Sequence, residues 1–196
     1  MHAARPLVVA LGASLLLAVG ASTAGGESAR VLRLAPGDEV ALAASSVRCT
    51  VSATGGVPTI ACGKAGAAGP QAGSYGFSIA DGTFVVVKAS RTSMPVQVAT
   101  RTQPPVVGTT YPGSVSGGRS LTVKSGAAMT VTGTHVFCAV STVSAQPYVT
   151  CGIADGSGSF LPKSFVGVLS DTQLVVVRKL AKNGSKTVLT RLQPTR

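Results

Sequence analysis

Acidic side chains, histidine and large aromatics are what this chain of 196 residues has least of. Tryptophan is absent, Phe and Tyr number 5 and 3, and Asp and Glu together number 6 against 17 Lys and Arg. Of the 2 histidines, His2 lies in the N-terminal apolar segment, which leaves His135. Proton transfer at neutral pH relies mainly on His and on tuned carboxylates, so the supply for catalysis is thin. The one adjacent carboxylate pair, Asp38-Glu39, follows Gly37 and reads as a turn, not as the two spaced carboxylates of a glycosidase. No apolar run reaches the ~20 residues of a membrane-spanning helix. Ala, Gly, Val, Ser and Thr dominate instead, which suits β structure rich in turns and excludes a long helix.

The N-terminus has the order of a secretory signal peptide: a basic start at Arg5, a short apolar core from Leu7 to Val19, then small residues. Residues 1–24 are therefore expected to be removed after Ala21 or Ala24. No Cys lies near either point, which argues against a lipoprotein, and the mature protein is expected to be exported as a soluble molecule with no transmembrane span. The Ala, Gly, Val and Arg bias is read as that of a bacterial chain.

Four cysteines are present, and their spacing repeats. Cys49 and Cys62 recur as Cys138 and Cys151, and Val47, Val51, Pro58 and Gly63 recur as Val136, Val140, Pro147 and Gly152. Further on, Ser74, Asp81 and Val85-Val86-Val87 recur as Ser164, Asp171 and Val175-Val176-Val177. Self-similarity over such a span means two copies of one folding unit. Copy one covers 29–104 and copy two 119–194, with a Pro-, Gly-, Ser- and Thr-rich linker at 105–118.

Within each copy the apolar period is two, the sign of strands with one buried face. Val47, Cys49 and Val51 alternate with Arg48, Thr50 and Ser52. The runs ending at Val87 and Val177 are apolar on both faces and read as interior strands. Asp81-Gly82 and Asn183-Gly184 supply hairpin turns. The fold expected is all-β: two tandem homologous antiparallel sandwich or barrel modules of six or seven strands, each with its own disulfide. If Cys49 opposes Cys62, Val51 faces Ile60 and the turn falls at Gly55-Gly56. In copy two Val140 faces Val149, with the turn at Ser144-Ala145. Directly opposed cysteines bridge best at a non-hydrogen-bonded pair, and stepping by two puts Pro58 and Pro147 at such sites, where a missing N–H costs nothing. Zinc is disfavoured, because its ligands usually come as pairs two to four residues apart. A pairing between the copies is the remaining alternative.

No catalytic, cofactor-binding or metal residues are assigned. His135 stands where copy one has Ser46, so a role shared by the copies cannot need it. Asp81 and Asp171 fit turns. The 155–159 stretch lacks the further carboxylates of a calcium loop, the Gly-rich stretch after Gly63 lacks a phosphate-binding Lys step, and no nucleophile elbow occurs. What remains is charge, formally +11. Lys88, Arg101, Arg178, Lys179, Lys182, Lys186 and Arg191 gather on the last hairpin of each copy, with Lys88 matching Arg178 and Arg101 matching Arg191. Such hairpins suit an anionic envelope polymer or lipid headgroups. The competing explanation is that the charges keep edge strands soluble. Nucleic acid is disfavoured by the lack of a stacking platform. A protein partner, as for an inhibitor or adhesin, would instead use Gly55-Gly56 and the 155–160 loop.

Overall fold

A computed structural model of the chain describes residues 31–66, 69–89, 96–99, 117–179 and 185–192. The segment 1–24 expected as a signal peptide and most of the expected linker at 105–118 lie outside them. The described residues form strands and no helix. The first half supplies β1 (Leu32–Leu34), β2 (Glu39–Leu42), β3 (Val47–Thr54), β4 (Val57–Gly66), β5 (Gly69–Pro70), β6 (Tyr75–Ala80), β7 (Thr83–Lys88) and β8 (Val96–Ala99). From the second half come β9 (Ser120–Val123), β10 (Ala128–Val131), β11 (Val136–Val143), β12 (Gln146–Ile153), β13 (Phe165–Leu169), β14 (Leu174–Lys179) and β15 (Ser185–Leu192).

The sheets do not divide where the repeats do. One sheet runs β1-β10-β11-β12-β13-β14-β15, the other β8-β7-β6-β4-β3-β2-β9 with β5 beside β4. The first strand of each half has moved into the sheet of the other. The two exchanges are equivalent: Leu32 lies opposite Met129, and Val40 opposite Leu121, in parallel pairs. All other pairings are antiparallel hairpins or their neighbours. Each half therefore lacks one strand of its own sheet and holds one strand of its partner's.

Alternation decides which side chains go inside. Val40, Leu42, Val47, Cys49, Val51, Ile60 and Cys62 are buried from one sheet, and Met129, Val131, Val136, Cys138, Val140, Val149 and Cys151 from the other. Together they form one cluster, not two. The halves interlock at Phe77, whose repeat equivalent is Gly167. A β-carbon on Gly167 would lie 2.8 Å from the Phe77 ring, so the glycine of one half makes room for the aromatic of the other. Phe77 stacks on Phe84 at 5.6 Å, and Phe84 on Phe165 at 6.0 Å, which carries the aromatic contact across the halves.

The doubly apolar runs lie inside their sheets, as their sequence implies: β7 is flanked by β6 and β8, and β14 by β13 and β15. Val85 and Val87 on the outer face of β7 are buried, whereas Val175 and Val177 on β14 are half-buried. The central hairpins take the expected turns. Gly55 and Gly56 have φ of 61° and 80°, and Ser144 and Ala145 adopt the same left-handed backbone at 49° and 64° despite their β-carbons.

Candidate functional site

The cysteines sit as their spacing implies. Cys49 opposes Cys62 and Cys138 opposes Cys151, each pair disulfide-bonded with Cα atoms 4.1 Å apart and buried in the shared core. Val51 faces Ile60 and Val140 faces Val149. Pro58 lies opposite Ala53 and Pro147 opposite Thr142, in phase with the cystine positions.

The basic hairpins are placed by strands at the far ends of the sheets from the exchanged strands. Lys88 closes β7 opposite Tyr75, and its ammonium lies 5.4 Å from the centre of that ring. Arg178 on β14 opposes Phe165, its guanidinium 5.8 Å from the ring centre. Both rings pack at the rim of the core, so each cation rests on an aromatic whose own position is fixed. A cation over a ring face is held by the ring's quadrupole. The two pairs are repeat equivalents. Lys179 follows Arg178, and its backbone closes the loop before β13 by accepting from the Lys163 amide at 2.6 Å and donating to Ser164 at 3.0 Å. Lys186 on β15 occupies the register position directly opposite Arg178. Arg191 also falls on β15, and Arg101 and Lys182 lie outside the described residues.

The five acidic residues of the described structure are all engaged elsewhere. Asp81 tops the β6–β7 turn of one half and accepts the backbone N–H of His135 in the other at 2.8 Å, with the His135 ring at 3.1 Å. Its repeat equivalent Asp171 accepts the backbone N–H of Ser46 at 2.9 Å and both the Ser45 and Ser46 hydroxyls. These turns latch the halves together twice, a role the sequence reading of Asp81 and Asp171 as turn residues did not contain. In both latches the constant donor is a backbone amide, so the side chain can be Ser in one copy and His in the other.

Asp38 is the least exposed charged residue described, at 3%. It accepts from the Ala35 amide at 2.9 Å, the Arg119 amide at 3.0 Å and Arg119 Nε at 3.2 Å, and pairs with the second guanidinium nitrogen. The Arg119 side chain, against the cost of burial, holds the Asp38 carboxyl far below its ordinary 3.8. The same guanidinium donates to the Arg33 carbonyl at 2.7 Å, tying β1, β2 and β9 at the point where the strands exchange. Glu39 pairs with Arg48 at 2.8 Å. Asp155 accepts from the Ser157 hydroxyl and amide and from the Ser159 amide, which lower its pKa and fix its own loop. Among the described residues no ion pair involves Lys88 or Arg178, while Lys179 acts on Asp155 at longer range and helps to lower its pKa.

A cleft of about 260 Å³ lies beside this loop, lined by Thr134, His135, Phe137, Asp155 and Ser157 among others. Phe160 packs edge-on against Phe137 at 6.2 Å and covers Gly152, so the loop is anchored by its apolar end. Among the described residues no group of three or more His, Cys, Asp or Glu could hold a metal ion. Comparison of the chain with protein-family models, with curated proteins and with solved structures found no match.

Proposed function

We propose that this is an exported, disulfide-stapled binding protein without catalysis of its own, which holds anionic envelope polymer or lipid headgroups through two matched basic hairpins, β7–β8 and β14–β15. The observation that carries this reading is charge left over in fixed places. The described carboxylates are consumed by the latches, the Asp38 site and local pairs, while Lys88 and Arg178 rest on aromatic rings with no acidic partner among the described residues. A cation already immobilised on a ring loses less side-chain entropy when it meets an anion. Two buried disulfides and the absence, among the described residues, of a helix long and apolar enough to cross a membrane are compatible with a place outside the cytoplasm.

The test is charge reversal, Lys88→Glu with Arg178→Glu, read as retention on isolated envelope and on anionic vesicles across a salt series. Retention should fall, and the remaining binding should depend less steeply on salt, because exposed charges are screened within ~8–10 Å at physiological ionic strength. Unchanged retention at low salt would remove electrostatics from the mechanism.

A second reading, a protein-partner module of the inhibitor or adhesin kind, has its own support. Val57 and Val143, 49% and 59% exposed, stand beside the two rigid hairpin tips, and the 155–160 loop is internally hydrogen-bonded. Preorganised tips bearing apolar side chains suit protein contacts. Salt-insensitive, stoichiometric capture of one protein, lost on Val143→Asp, would favour it.

A further inference from the structure

The reciprocal exchange of β1 and β9 has the geometry of a strand-swapped dimer whose two subunits are halves of one chain. Each exchanged strand is short, three or four residues, yet it buries Leu34 completely and leaves Val123 at 5%. The acceptors β2 and β10 would be sheet edges without it. The contacts described between the halves, among them the two parallel pairs, the Asp81 and Asp171 latches, the Asp38–Arg119 pair, the Phe84–Phe165 stack and the Phe77–Gly167 fit, each join one first half to one second half. None of them requires that the two halves belong to the same chain.

We propose that β2 and β10 form an acceptor surface for a second copy of this chain, so that two molecules can trade halves and make a closed, two-fold homodimer with every contact of the monomer kept. What selects the monomer is the connection alone. β8 and β9 lie at opposite edges of one sheet, six strand spacings apart, or ~29 Å at ~4.8 Å per step. The 20 residues between Ala99 and Ser120 are long enough to cover that distance, since a chain of that length reaches at most ~70 Å. The tether then presents the partner half at an effective concentration of order mM, and the monomer wins at ordinary protein concentrations. Shortening the tether inverts the preference, because a segment that cannot reach across the sheet can only reach another molecule.

The experiment is deletion of residues 101–116 in the oxidised chain. Four residues then remain between Ala99 and Ser120, a reach of ~18 Å at full extension, less than the ~29 Å across the sheet. The variant should be a folded dimer by light scattering at micromolar concentration, with both disulfides intact, and the native chain a monomer. A folded monomeric variant would overturn the proposal. A second measurement does not depend on that variant folding. The native chain, unfolded with its disulfides intact and refolded across a concentration series, should yield a rising dimer fraction as the concentration approaches the mM range. Once formed, that dimer should not exchange subunits with a differently tagged one until it is unfolded. No dimer at any concentration, or a dimer that exchanges freely in native buffer, would also overturn it.

Discussion

Gly167→Ala asks whether the two halves share a core. The new β-carbon would sit 2.8, 2.9 and 3.0 Å from three atoms of the Phe77 ring, where ordinary contact begins near 3.4 Å. The ring cannot swing aside cheaply, since Phe77 is fully buried and stacked on Phe84. Overpacking of this kind costs ~1–3 kcal/mol, and the strand's preference for Ala over Gly returns ~0.5–1 kcal/mol of it. The net loss should be ~0–2.5 kcal/mol, a fall in Tm of up to several degrees at ~2–4 °C per kcal/mol for a protein of this size. Phe77→Leu alone should also destabilise, by removing ring contacts. In the double variant the smaller side chain accepts the methyl, so the two losses should fall short of additivity by ~0.5–2 kcal/mol. Urea titration of the four proteins with disulfides intact measures this. Strict additivity would refute the claim that residue 77 of one half fills the space left by residue 167 of the other.

The Ser144-Ala145 turn carries β-carbons in a left-handed backbone that copy one builds from Gly55-Gly56. Ala145→Gly should therefore raise stability by about 1 kcal/mol, the left-handed penalty less the entropy of glycine; a lower melting temperature would contradict this. Asp38 has a depressed pKa, so its contribution is full above the ordinary value of 3.8 and is lost as the solution becomes more acidic. Asp38→Asn should be clearly less stable than the native chain at pH 6, and the gap should narrow progressively as pH is lowered below 4. A gap independent of pH would remove Arg119 as the cause.

The local parts of this fold were legible and the long-range parts were not. Both cystine hairpins follow from the sequence because three constraints meet on one register: the opposed cysteines, the tolerance for Pro58 and Pro147, and a two-residue tip. The strand exchange is invisible to the same reasoning. Period-two alternation says that Leu32 and Leu34 face a core, but not whose. Since Leu32 and Leu121 carry equivalent patterns, pairing within a copy and pairing across copies satisfy the alternation equally. Asp38 beside Gly37 looks like any turn residue until Arg119 arrives from the other half. The latching role of Asp81 and Asp171 was hidden for a different reason. Their partners are backbone amides, and the side chains at those partner positions, Ser46 and His135, differ between copies. Of the basic hairpins, the matched positions could be read from the repeat, but the rings beneath them could not, because Tyr75 and Phe165 differ in identity and meet the cations only through cross-strand register.

Whether the halves are interlocked is tested most directly by cutting between them. A protease site placed in the 105–116 segment, cleaved once in the native oxidised protein, leaves two chains with no covalent link, since each disulfide lies within one half. The expected result is a single particle of undivided mass by light scattering, stable to dilution and to molar salt, with the melting temperature lowered but its transition still single. Two folded halves that separate on a sizing column would contradict the shared core and the exchanged strands together.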